Sequence, residues 1–480
     1  MNRSQRRNQS RPKSSARKAG LTFLTAAGVV SGTVGLGSPA HAAVFTSTDC
    51  SDLISDLTAL EDDGGTLTAT FSGTCDILGS YSFGEETTIM GPTSSPLTLR
   101  FMDTSGGFTV NADFSVFNFV FTHELGSSIA NFIYDRGYAV EVTNVTFSNA
   151  EVSSAIYAEG NLTVSSSTFE NLTASNNGPA IYSKSNLDIS NSTFENNETD
   201  QSGGAIYSEG LMFISNSTFE SNESDGFGGA VYALGAGAKV INNSTFVGNS
   251  SGSAAAVLLS EGGVIANSTF WNNGDADTYS ISGDSGGTAF FGNILANDAP
   301  TVVKLINPSE TNEDLGANLY TDDSFDDTTL GIGSSELVTP ADLKLSPLTL
   351  NLTGPENFGV TKTVAVASDS VAKDFYAADS AGINPTDGGD LSLYTSGAFS
   401  TLIPDLDQRL VGRPIEAGYD VGAFELGATP EPSEEPEVTD QETLADTGLP
   451  TGAGYLGLVG LGAAAILGGS AGILRRRKKA

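Results

Sequence analysis

The sequence predicts an all-β protein built as one parallel β-helix. Three observations lead there. The triplets Ala155-Ile156-Tyr157, Ala180-Ile181-Tyr182, Ala205-Ile206-Tyr207, Ala230-Val231-Tyr232 and Ala256-Val257-Leu258 recur at spacings of 25, 25, 25 and 26 residues, and a fixed period of that size marks a solenoid. Phe147, Phe169, Phe194, Phe219, Phe246 and Phe270 keep step with them. Each unit holds three short β-prone runs, such as Ala205–Tyr207, Leu211–Ile214 and Ser217–Phe219, separated by Gly, Asn, Ser and Asp, and none is long enough for a helix. Three strands per unit make one coil, stacked about 4.8 Å from the next.

Residues 1–42 read as a signal peptide. Arg3, Arg6, Arg7, Arg11, Lys13, Arg17 and Lys18 precede an apolar stretch from Leu21 to Gly37, and no acid interrupts them. Ala40-His41-Ala42 has the small-x-small form of a signal-peptidase site, so the mature chain is expected to begin at Ala43. The Arg6-Arg7 pair raises a twin-arginine route, but the apolar stretch starts too late for it, which favours general secretion.

Residues 43–139 are expected to hold an N-terminal cap and the first coils. Ser51–Leu60 reads as a short amphipathic helix with Leu53, Ile54, Leu57 and Leu60 on one face. Such a helix would cover the unpaired edge of the first coil. Cys50 and Cys75 are the only cysteines, and in an exported chain an isolated pair forms a disulfide. Closing that loop would contribute about 3 kcal/mol by constraining the unfolded chain. His123 is the only histidine beyond residue 42 and no C-x-x-C occurs. Zinc sites built on His or Cys and Ser-His-Asp triads are thereby nearly excluded.

Residues 140–295 carry the regular repeat. Ile, Val and Phe point inward and form columns. Asn144, Ser166, Asn191, Asn216, Asn243 and Asn267 lie three residues before the Phe positions. Asn149, Asn171, Asn197, Asn222, Asn249 and Asn273 lie two or three after them. Asparagine at such a repeat suits a tight turn, because it tolerates left-handed backbone and bonds locally. The Asn-x-Ser/Thr triplets, Asn191-Ser192-Thr193 among them, follow from this repeat and not from glycosylation.

This pattern resembles the right-handed parallel β-helix of the pectin-lyase-like superfamily. Gly203-Gly204-Ala205-Ile206 and Phe219-Glu220-Ser221-Asn222 resemble the repeats of chlamydial polymorphic outer-membrane proteins and similar adhesins. From 296 to 426 the period loosens. Asn293–Asn297, Leu345-Ser346-Pro347-Leu348, Asp407-Gln408-Arg409, Arg413-Pro414 and Asp420–Glu425 resemble the choice-of-anchor Q domain. That resemblance implies a β-helical ectodomain joined to a C-terminal surface anchor, with further C-terminal coils. Leu410 stands where the family has Gly, so the turn after Arg409 is expected to differ.

Residues 427–443 form a Pro/Glu-rich spacer, and 444–480 end the chain. Leu444-Ala445-Asp446-Thr447-Gly448 precedes an uncharged stretch, 449–474, long enough to cross a bilayer, and then Arg475-Arg476-Arg477-Lys478-Lys479. The order resembles the L-A-x-T-G sorting signal of high-GC Gram-positive bacteria. It implies a membrane-inserted precursor whose transmembrane helix lies in 449–474. It also implies a sortase that cuts between Thr447 and Gly448, and attachment of Thr447 to cell-wall peptidoglycan.

All 57 acidic side chains fall between Ala43 and Thr447, with ten of the 22 basic ones, a net charge near −47. Such a surface repels nucleic acid and acidic polysaccharides. It favours neutral glycans, cationic partners or divalent cations. The superfamily's lyases use calcium-binding acids with a basic residue, and its hydrolases use Asp pairs, often with G-H-G and R-I-K. Neither motif occurs here, and no catalytic residue is assigned. Alternation turns Tyr157, Tyr182, Tyr207 and Tyr232 outward as an aromatic stripe, a candidate surface for a glycan or a surface protein. Glu170, Glu195 and Glu220 form a second outward column whose mutual repulsion bound calcium would relieve. The leading expectation is a wall-anchored, non-catalytic adhesin. A hydrolase acting on a neutral glycan and a structural spacer are the alternatives.

Thr447→Ala should leave the chain in the membrane fraction, whereas the wild type should be released only by peptidoglycan digestion. Fractionation checks it.

Overall fold

A computed structural model describes residues 43–124, 128–235, 237–274, 278–283, 287–298, 305–307, 312–322, 335–349, 361–374, 376–377, 407–409 and 418–424. All belong to one compact unit, Ala42–Ala480. Residues 1–42 with Ala40 and Ala42, the spacer 427–443, Leu444–Gly448 and the stretch 449–474 lie outside the described residues. Among the described residues no helix is long and apolar enough to cross a membrane.

The chain winds as a right-handed β-solenoid with three parallel sheets running its length. The first sheet has twelve strands, from Ala43–Ser47 to Glu313–Asp314. The second has sixteen, starting at Gly73–Ile77 and ending at Glu336–Leu337, and the third has nine, between Ser80–Phe83 and Ile281–Ser282. One coil reads Ile206–Ser208 in the third sheet, Met212–Ser215 in the first and Thr218–Glu220 in the second. In the regular coils each residue stands over its counterpart: Phe147 over Phe169, Phe169 over Phe194, and so on through Phe270.

Register turns repeated residues into columns. The rings from Phe169 to Phe270 stack face to face 4.6–4.9 Å apart, with interplanar angles of 2–3°. Each is fully buried, which contributes about 1.5–3 kcal/mol per ring. The residues three before each Phe, Asn144, Ser166, Asn191, Asn216, Asn243 and Asn267, all have left-handed backbone, φ 47–54°. The serine after each turn is buried: Ser192, Ser217, Ser244 and Ser268 accept, through Oγ, the backbone N–H of the residue at the same point one coil earlier, 3.1–3.2 Å away. In an Asn-Ser-Thr triplet the Asn makes the turn, the Ser seals it and the Thr starts the next strand.

The second asparagine set divides in two. Asn149 and Asn171 are left-handed turn residues, joined in that role by Asn196, Ser221 and Asn272. Asn197, Asn222, Asn249 and Asn273 instead point inward and are fully buried. Each Nδ2 of the first three donates to the next Oδ1 at 2.8–2.9 Å, and all four donate to the carbonyl of a Phe one coil earlier at 2.9–3.0 Å. An amide side chain can do this because it carries both donors and an acceptor.

The helix Cys50–Asp63 is longer than the sequence predicts and is capped by Asp49, which accepts from the N–H groups of Ser51 and Asp52. Leu53, Leu57 and Leu60 join the core. Ile54 does not share their face: it is 36% exposed, because one residue is a 100° rotation around the helix. Cys50 and Cys75 are joined in a disulfide across a Cα separation of 5.4 Å.

Among the described residues the parallel coils run as far as Glu336–Leu337. The chain then turns back, and Leu343, Val366, Ala372, Val421 and Phe424 pack on the outer side of the solenoid against Val240, Val264, Ala289 and Phe291. The reason lies in one outward column of the first sheet. It reads Glu141, Thr163, Asp188 and then Phe213, Val240, Val264, Ala289. Strands apolar on both faces must be covered.

Asn222→Ala should cost about 2–4 kcal/mol, since it strands buried partners in both neighbouring coils. Asn149→Gly, at a left-handed turn, should stay within about 0.5 kcal/mol of wild type. Urea unfolding checks both.

Candidate functional site

Two outward surfaces combine regular geometry with polar chemistry. The first lies on the third sheet. Tyr157, Tyr182, Tyr207 and Tyr232 stand in register, and Tyr134 extends the column by one coil. Sequence reading missed Tyr134 because Phe132-Ile133-Tyr134 breaks the Ala-Ile-Tyr triplet. Ring centroids lie 5.2, 4.9, 4.8 and 5.4 Å apart. The three middle rings stack, so their faces cover one another; Tyr157 and Tyr182 stay partly exposed and Tyr207 is buried. This limits the sugar stacking that the spacing suggests, which needs an open face.

A charged column runs beside these rings, two residues after each of the first four tyrosines. It reads Arg136, Glu159, Lys184, Glu209, and backbone hydrogen bonds place the four on successive coils. Lys184 Nζ pairs with Glu159 at 3.0 Å and lies 5.1 Å from the Tyr157 ring centre. Arg136 sits 5.6 Å over Tyr134. The Tyr182 hydroxyl donates to Glu209 at 2.6 Å. Burial, reinforced by that hydrogen bond, holds the Tyr182 phenol well above its ordinary value, and burial also raises Tyr207. Hydrogen bonds to Tyr157 and Glu159 raise the Lys184 ammonium. Lys184 therefore stays charged, and Tyr182 and Tyr207 stay neutral, across the physiological range.

The second surface lies on the second sheet. Thr168, Thr193, Thr218, Thr245 and Thr269 form one outward column. Glu170, Glu195 and Glu220 form the next. The returning C-terminal segment lies on both. Lys362 Nζ sits between Glu195 and Glu220, 2.7 and 2.5 Å from their carboxylates. Part of the repulsion expected in that column is thus answered by a lysine of the same chain, while Glu170 lies outside the pairing. Thr361 Oγ1 donates to the Asn216 carbonyl at 3.0 Å, and Thr218 Oγ1 donates to the Lys362 carbonyl at 2.5 Å.

Asp407-Gln408-Arg409 and Asp420–Phe424 complete this clasp. Gln408 is fully buried. Its Nε2 lies 2.9 Å from Thr218 Oγ1 and 2.6 Å from Thr361 Oγ1, and its Oε1 accepts from Thr245 Oγ1 at 2.6 Å. Arg409 pairs with Asp407 at 2.6 Å and stacks 3.7 Å over Phe424. The Gly422 N–H donates to the Gly292 carbonyl at 2.9 Å. A side chain at Gly422 would meet Thr269 and Ile294 within 3 Å, and its φ is +92°.

Other titratable groups are scattered. Glu141 and Asp188 occupy one outward column of the first sheet, with Thr163 between them. Loss of solvation lifts both carboxyls above the usual range. Their side chains still reach the surface, so the effect on either is small. Lys239 lies inside the solenoid, under Met212 in the apolar column, and donates to the carbonyls of Gly235 and Gly237. Burial lowers its pKa. Among the described residues no three His, Cys, Asp or Glu side chains gather as a metal site.

A family model described as the right handed beta helix region matches residues 130–298. No curated protein and no solved structure matches the chain.

Burial disfavours the Lys362 charge, but its hydrogen bonds to Glu195 and Glu220 outweigh that and raise its pKa. The stabilisation is complete below the ordinary lysine value and lost as pH climbs through the raised one. Lys362→Met should therefore lower stability at neutral pH by about 1 kcal/mol, a figure discounted for solvent reaching all three side chains. It should also flatten the fall in melting temperature above about pH 10.4. Thermal melts of both proteins across pH check it.

Proposed function

We propose that this chain is a non-catalytic surface binding module, an adhesin, held on the cell wall. The observation that carries the reading is the five-tyrosine column with its charged rail, repeated coil by coil on the outer face of the third sheet. Stacked tyrosines beside fixed charges suit recognition: the rings are ordered before any partner arrives, so little entropy is lost on contact. The ligand class is a glycan met through hydroxyl edges, or a surface protein. The wall position rests on the sequence: the signal peptide 1–42, the Leu444–Gly448 sorting signal read by a sortase, and the span 449–474. The clasp at 407–409 and 420–424 supports the resemblance to an anchor-bearing ectodomain, since the residues that carry the resemblance pack on the solenoid's coils. The helix Cys50–Asp63 acts as the N-terminal cap in this reading.

A second reading has one observation in its favour. Glu141 and Asp188 are two coils apart, which at about 4.8 Å per coil puts their backbones about 10 Å apart. Long side chains could bring the carboxyls within the window of an inverting glycosidase. This is the neutral-glycan hydrolase. Calcium belongs to the proposal only through Glu170 and its neighbours, and an unchanged melting temperature in millimolar calcium removes it.

The purified chain should retain a ligand from a panel of neutral and acidic polysaccharides and cell-surface proteins without releasing new chain ends. Tyr182→Ala/Tyr207→Ala should weaken that retention about tenfold or more. New chain ends that vanish in Glu141→Gln would establish the hydrolase. Unchanged affinity in the double variant would remove the tyrosine column from the reading. Retention of nothing would leave the structural spacer.

A further inference from the structure

We infer that the partner of the tyrosine face is a second copy of this chain, docked antiparallel. The inference rests on the adhesin reading and names its partner. Along the solenoid the charged column reads plus, minus, plus, minus at Arg136, Glu159, Lys184 and Glu209, on successive coils. Reversed, the same column reads minus, plus, minus, plus. A two-fold axis along the strand direction brings two such faces together with the order reversed. Arg136 then opposes Glu209 of the second copy, and Glu159 opposes its Lys184, at every rung.

This self-complementarity is specific to the third sheet. On the second sheet Glu170, Glu195 and Glu220 would oppose like with like, and Lys362 already occupies two of them. All four charged residues reach the surface: Arg136 is exposed, the Lys184 and Glu159 side chains keep 38% and 36% of their surface, and Glu209 is half-buried. Each charge would gain opposite neighbours across the contact as well as along its own column. The same operation sets Tyr157 against Tyr182 and Tyr134 against Tyr207, rim to rim, and tyrosine is enriched in the buried centres of such contacts. An isologous two-fold contact closes on itself and does not propagate into fibres.

Long-range repulsion between two strongly acidic chains works against this pairing, but at physiological salt it is screened beyond about 8 Å. At contact, local alternation decides. Antiparallel docking also sets the two solenoids head to tail.

The test uses beads of two colours, each carrying the full chain tethered by its C-terminus, in physiological salt. Wild-type beads should cluster. Lys184→Glu makes two rungs like-charged, and so does Glu159→Lys, so each alone should cluster about tenfold less or not at all. Mixed together, these two variants restore an opposite pair at all rungs and should form two-colour clusters. The double variant Glu159→Lys/Lys184→Glu remains self-complementary and should cluster with itself. Melting temperatures within a few degrees of wild type establish that each variant is folded. Clustering of the single variants at the wild-type level, or dispersed mixtures of the two, overturns the inference. Dispersed wild-type beads that still retain a glycan or a different protein overturn it too, and leave the binding-module reading standing. Dispersed beads that retain nothing remove both.

Discussion

Every feature of this molecule depends on one constraint: each residue of a coil stands directly over its counterpart in the next, about 4.8 Å away. A repeated side chain therefore meets itself. What a column can contain is decided by whether that side chain tolerates its own kind at that distance. Phenylalanine does, and the rings from Phe169 to Phe270 lie within 2–3° of parallel. Asparagine does, because its amide is donor above and acceptor below. Serine does when its hydroxyl seals the neighbouring turn. A carboxylate does not.

The two candidate surfaces are two answers to that last case. On the second sheet three glutamates stand in line, and a lysine from the returning C-terminus is placed between two of them. On the third sheet the sign alternates from coil to coil, so neighbours attract without outside help. The first answer brings the C-terminal segment onto its surface; in the second the charges pair within their own column. That difference is why the tyrosine face, and not the threonine face, is read as the place of recognition. Over the last coils the threonines are buried under the clasp: Thr218, Thr245 and Thr269 are at most 1% exposed.

Much of this was legible in the chain. The period, the inward Phe and Ile positions, the left-handed Asn before each Phe and the outward tyrosines follow from spacing and alternation alone. The split of the second asparagine set was not legible, because a shift of a single residue separates a turn from a buried ladder: Asn196 turns, while Asn197 is interior. Ile54 was misplaced because the helical face is narrow. The apolar switch at Phe213, Val240, Val264 and Ala289 was present in the sequence as a signal that something covers the first sheet there, but it did not name the cover.

The sequence by itself determined the solenoid, since a 25-residue period of short β-prone runs has no other way to bury its apolar positions. It also carried the cysteine pair, the acidic surface and the tyrosine stripe, all of which are local or periodic properties. Only the tertiary structure decided where the aperiodic C-terminus goes. Lys362 reaches Glu195, 167 residues earlier, and Gln408 reaches Thr218, 190 residues earlier. No spacing rule encodes such contacts, because they arise when two distant segments find the same uncovered face. The alternating charge column is the intermediate case. Its residues are two positions from each tyrosine in plain sequence, but only stacking in register makes four scattered charges a single line.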